Sequence, residues 1–137
     1  MKGISFRVHP DGVYSFYFVV HVWDRKKGMR AATAQFGKRH EAICMAFRKV
    51  RHKNGRKVWS KQIGEIHFWK GQIVTRIIVH EFTHAALAWA RFKHLDFGAM
   101  AHAEDKWASQ DEERLVEATG VMVRQFVDVC HSLGYYT

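Results

Sequence analysis

At 137 residues and 16.0 kDa the chain has room for one domain with a real hydrophobic core. A hydrophobic content of 47% and five tryptophans exclude a disordered chain, and no stretch approaches the ~18 unbroken apolar residues of a membrane span. The net charge of +9 is unevenly placed, with +13 on residues 1–79 and −4 on residues 80–137.

Residues 1–7 lack the long apolar core and small-residue cleavage site of a signal peptide, so a cytoplasmic chain is expected. Cys44 and Cys130 form no C-x-x-C pair and are expected to be reduced, buried thiols. A short strand over 4–9 is followed by the turn His9-Pro10-Asp11-Gly12. Residues 13–23 are dense in β-branched and aromatic side chains and predict a strand. A charged turn at 24–28 then predicts a hairpin whose second strand covers 29–36. Residues 41–50 fit helix and strand equally, because their periodicity favours neither. Lys53-Asn54-Gly55-Arg56 predicts a hairpin tip.

No acid interrupts the interval between Glu41 and Glu65, which carries Arg48, Lys49, Arg51, Lys53, Arg56, Lys57 and Lys61. The basic segment 48–61 therefore suits nucleic acid or an acidic protein surface as a partner, or is a solvated loop without a specific ligand. Ile63–Trp69 predicts another strand. Its place just before the next helix makes 63–68 a candidate edge that could hold an extended peptide by main-chain hydrogen bonds.

Residues 72–93 contain neither proline nor glycine, and their second half is rich in alanine, which predicts a helix. Ile77, Ile78, Phe82, Ala85, Leu87, Ala88 and Trp89 make it apolar over most of its circumference, as in a helix at the centre of a domain. Within it lies His80-Glu81-Phe82-Thr83-His84, an H-E-x-x-H pattern. On a helix the two histidines stand one turn apart on a single face, so both imidazoles can reach one Zn2+ ion. Glu81 lies about 100° round the axis from His80. It is thereby placed to take a proton from a water on the metal and not to ligate the metal itself.

A connecting loop over 94–108 leads to a final helix over about 110–133, stopped by Gly134. Leu115, Ala118, Met122, Phe126, Val129 and Leu133 are its expected core face. Antiparallel strands first and two helices after them predict an α+β domain spanning 1–137.

Catalytic zinc takes three protein ligands and a water. Leu87 and Ala90 stand where the metzincin pattern has its glycine and third histidine, which excludes that group. His94, His102, Glu104, Asp105, Asp111, Glu112, Glu113 and Glu117 are the candidates left. An H-E-x-x-H helix, a short loop and a glutamate-bearing helix are similar to the compact gluzincin-type metallopeptidases of bacteria and phages. The resemblance rests on His80, Glu81, His84 and the run 112–120, and covers about residues 63–133. It implies a zincin-like fold and a third ligand from the second helix. Ser109 and Glu112 fit a capping box, which leaves Glu113 for the metal with Glu117 four residues on to steady a histidine. The helical wheel argues the other way, because it sets Glu112 nearer the core face; Glu113 is the expected ligand and Glu112 the alternative. His102 could stabilise an oxyanion.

The function expected is a zinc-dependent hydrolase acting on a peptide or protein substrate. A different class stays open, in which a basic protein of this fold keeps the zinc for structure and binds nucleic acid or a host protein. A third reading is a peptidase with one cognate substrate.

Overall fold

The computed structural model describes residues 3–12, 16–36, 41–48, 50–95 and 110–135. In chain order these form β1 (Ile4–Val8), β2 (Tyr17–Trp23), α1 (Lys26–Ala32), β3 (Ile43–Ala46), β4 (Val50–Lys53), β5 (Arg56–Trp59), β6 (Gln62–Trp69), α2 (Thr75–Phe92) and α3 (Gln110–Ser132). Short 3-10 turns follow α1 and β6.

The domain is α+β, as its order of elements predicts, but the sheet is mixed and not wholly antiparallel. Its order is β1-β2-β6-β3. β1 and β3 run antiparallel to their neighbours, while β2 and β6 run parallel. A parallel pair needs a crossover, and this explains the fate of residues 29–36. They do not return as a hairpin strand. Lys26–Ala32 is helical, with Met29 its one buried residue, and Ala34–Phe36 closes it as a 3-10 turn. Lysine, methionine, arginine and alanine are all good helix formers, and the buried residues Met29 and Thr33 stand four apart, a helical spacing and not the alternation of a strand.

The ambiguous segment 41–50 resolves into β3, which pairs with β6 through Ile43↔His67 and Ala46↔Gly64. Between Ala46↔Gly64 and Val50↔Trp59 the register slips by one residue. The β4–β5 pair is thus the bulged continuation of the β3–β6 hairpin, and it leaves the sheet as a separate two-stranded arm. Its tip is Asn54-Gly55 with φ of 52° and 74°, the two left-handed residues that a tight hairpin turn requires.

The placement of β3 corrects the expectation for 63–68. That segment is an inner strand, held between β2 and β3, and its main chain is used on both sides. Ile63, Gly64, Ile66, His67 and Phe68 are accordingly buried. Ile43–Ala46 is the edge instead.

Alternation along the strands sends Phe18, Val20, Val22, Ile66 and Phe68 into the core beneath α2 and α3. The ring of Phe126 from α3 is centred 4.5 Å from Phe68, 5.3 Å from Phe82 of α2 and 6.0 Å from Phe6 of β1. Buried Ala118, Met122, Phe126 and Cys130 form the seam of α3. Cys130 thus takes the place expected for Val129 and Leu133, and Leu133 is 46% exposed. The helix ends on Gly134, whose φ of 74° lets the Tyr135 N–H return to the Cys130 carbonyl at 2.8 Å. Among the described residues no helix is long and apolar enough to cross a membrane.

Candidate functional site

The burial pattern of α2 splits the H-E-x-x-H residues between two sides of the helix. Ile77, Ile78, Phe82, Ala85, Ala86, Trp89 and Ala90 face the core, whereas Val79, His80, Thr83 and His84 are exposed. The helix is not buried all round, and its histidines look outward. Glu81, about 100° away, is buried at 6% exposure.

His80 and His84 come together as their spacing requires. Their Nε2 atoms are 3.3 Å apart and their rings meet edge to face at 77°. Two nitrogens each at ~2.0–2.1 Å from a tetrahedral ion are separated by about 3.3 Å, so this pair fits zinc. The Glu81 Oε1 atom lies 3.9 Å from His80 Nε2. These three residues line one wall of an open hollow of about 350 Å3, and Ala42, Ile43, Cys44 and Ala46 of the edge-strand region line the other. Burial, and then the nearby Glu81 carboxylate, push the Cys44 thiol up to about 12, so this cysteine is a neutral wall residue. Cys130 is also a free thiol, raised to about 11 by burial.

The expected third ligand does not join the pair. Glu113 is exposed in the first turn of α3, while Asp111 and Glu112 beside it are half-buried. Phe126 lies against Phe82, and the Arg114 guanidinium sits 5.9 Å over the Trp89 ring. The two helices are therefore antiparallel, and the acidic turn stands level with Trp89, beyond His84. Glu117 lines a different hollow with Trp89 and Arg114. His94 follows the end of α2, exposed and with a φ of 56°. Ser109, His102, Glu104 and Asp105 lie outside the described residues.

Among the described residues, the one group of three metal-type donors within 4.8 Å of one another is His21, Glu65 and His67. It sits on the other sheet face, beside Ala32 of α1. The sequence reading missed it because the parallel pairing that sets His21 opposite His67 is non-local. The available signal was polar residues at i and i+2 on otherwise apolar strands. Hydrogen bonding tells how this group is wired. The Trp23 indole N–H can only donate, and it donates to His67 Nδ1 at 3.0 Å. The proton of the neutral His67 ring is thereby placed on Nε2, where it is donated to Glu65 Oε2 at 3.2 Å. A metal on Nε2 would require that proton to move to Nδ1, at the expense of the Trp23 hydrogen bond. His21 stacks on His67 with ring centroids 4.6 Å apart and bonds Ser5 Oγ through Nδ1 at 2.7 Å. This group is a hydrogen-bonded chain that ties β1, β2 and β6 together.

Burial lowers the pKa of His67, and the hydrogen bond and charge of Glu65 oppose that shift without cancelling it. A histidine with a depressed folded pKa binds fewer protons folded than unfolded. Its contribution to stability is present above the unfolded value of ~6.5 and is lost as pH falls through the lower folded value. Melting temperature should therefore drop by a few degrees more between pH 7 and pH 5 in the parent than in His67→Gln. Parallel pH profiles for the two proteins would show that His67 is not the group responsible.

No family model, curated protein or solved structure matches the chain.

Proposed function

We propose that the protein is a zinc-dependent hydrolase of the metallopeptidase type, with His80 and His84 as ligands and Glu81 as general base. The observation that carries this reading is the 3.3 Å separation of the two Nε2 atoms, with a buried carboxylate beside them in an open hollow. Zinc held there supplies Lewis acidity, which polarises a scissile carbonyl and lowers the pKa of water. Glu81 takes the proton of the attacking water and returns it to the leaving amine. Glu81 is buried and lines the hollow together with Cys44, whose thiol its charge helps to keep neutral. Main-chain groups on the outer side of β3 can hold a substrate in extended form along the hollow, the role the sequence suggested for 63–68. In this reading the third ligand is a glutamate of α3, Glu113 or its competitor Glu112, as in the gluzincin-type, zincin-like peptidases that the sequence resembles, and the first turn of α3 shifts toward the histidines when zinc binds.

Metal analysis after dialysis against zinc tests the assignment. The parent should hold stoichiometric zinc, and His80→Ala and His84→Ala should lose it. Glu113→Ala should lose it as well, and loss in Glu112→Ala instead moves the ligand by one residue. A zinc-free parent under these conditions would sink the reading.

The β4–β5 arm favours a second reading. Arg51, His52, Lys53, Arg56 and Lys57 are all exposed on it, as a surface for nucleic acid requires. In that case the protein binds DNA or RNA with a steep salt dependence that Glu81→Gln leaves unchanged.

A further inference from the structure

The hollow that holds His80, Glu81 and His84 does not end at them. A second hollow of about 360 Å3 adjoins it and shares Ala46, Ala88 and Arg91 with it. Together they form one groove between the edge-strand region and the outer side of α2. Arg91 is seven residues past His84, or about 10 Å along the helix, which equals roughly three residues of extended peptide. Arg48 lines the groove beyond it.

The charge in this extension has one sign. Glu81 is the single acid among the described residues lining the two hollows, and it belongs to the catalytic end. Arg48 and Arg91 are both exposed, and among the described residues neither has an acidic partner within ion-pair distance. Arg48 is nonetheless held in place. Its Nε donates to the Ser60 carbonyl at 3.3 Å, and its guanidinium lies 4.6 Å from the Phe92 ring centre and 5.1 Å from that of Trp59. A guanidinium braced by ring faces is oriented without being neutralised, and its edge is free for the bidentate grip of a carboxylate. Trp59 and Ser60 also lie at the root of the β4–β5 arm, whose Arg51, Lys53, Arg56 and Lys57 extend the positive field past the end of the groove.

We infer that this groove is a binding site for an acidic peptide segment, with Arg91 reading a Glu or Asp side chain two to three residues from the scissile bond and Arg48 a second one farther out. The inference rests on the peptidase reading for the position of that bond, but the acidic preference itself needs only the two arginines.

Two measurements separate the inference from that reading. The first is fluorescence anisotropy with zinc-loaded Glu81→Gln and labelled decapeptides that carry either Glu or Gln at matched positions. The Glu peptide should bind at least about 10-fold tighter than its Gln counterpart at low salt. In Arg48→Gln/Arg91→Gln, with an unchanged melting temperature, the difference should fall within about twofold. Arg48→Lys, which keeps the charge on the aromatic bed, should lose only part of it. The second measurement is cleavage of a randomised peptide library by the parent, which should enrich acids on one side of the cut. Acidic binding that depends on the arginines, without cleavage of any peptide, would keep this inference and remove the peptidase reading. Cleavage without acidic preference would do the reverse. Equal binding of Glu and Gln peptides would overturn the inference. So would an acidic preference indifferent to both arginines, or single-stranded RNA displacing the acidic peptide through the same two residues.

Discussion

Glu81→Gln is expected to lower kcat for peptide hydrolysis by ~10²–10⁴-fold, the usual worth of a positioned general base, while zinc content stays at the parent level. Glutamine keeps the shape of the side chain and removes only its capacity to accept and return a proton. The carboxylate does not ligate in this arrangement; it lies 3.9 Å from His80 Nε2, on the buried side of α2. The metal should therefore remain on the histidines. KM should change little, because in the proposed mechanism the substrate would be held along β3 and the groove and not by Glu81. The check is to measure kcat, KM and zinc content on the same preparations. Hydrolysis at the parent rate would remove Glu81 from the mechanism, and a variant that loses its zinc would make Glu81 a ligand.

Phe126→Ala should destabilise the fold by about 3–5 kcal/mol, the range for a fully buried phenylalanine. No other ring on α3 touches so many elements. Phe126 packs on Phe6, Phe68 and Phe82 and so joins α3 to β1, β6 and α2, with no exposed surface of its own. Truncation would leave a cavity lined by three rings whose backbones are fixed by the sheet and by α2, so collapse into it is limited. Urea unfolding of the parent and the variant measures the difference. Val116→Ala, at a site 59% exposed on the same helix, should change stability by less than about 0.5 kcal/mol and serves as the control. A loss below about 1 kcal/mol for Phe126→Ala would mean that α3 is not seated on the sheet through this ring.

The features legible in the sequence are those set by local geometry. Helical periodicity alone puts His80 over His84, and their Nε2 atoms do meet. Asn54-Gly55 announced its turn because few other residue pairs accept two positive φ angles in succession. Gly134 marked the end of α3 for the same reason. The failures have a common cause as well. Residues 29–36 suggest a returning strand only if the neighbour of β2 is the next segment in the chain. The actual neighbour is β6, about 40 residues on. Ile63–Phe68 read as an edge because nothing local distinguishes an inner strand from an outer one. The wheel of α3 drifted at its C-terminal end, where Cys130 and not Leu133 meets the core.

The sequence by itself thus determined a pair of imidazoles one helical turn apart, a carboxylate beside them and a basic segment, since each depends on spacing along one element. Only the tertiary structure decided that β3 is the strand beside that pair and that Arg91 and Arg48 share its groove. It also sets His67 between Trp23 and Glu65 and leaves Glu113 away from the histidines. Strand order and helix docking follow from pairings between residues distant in sequence, where one step of register exchanges the two faces of a strand. No pattern within a single segment encodes that choice.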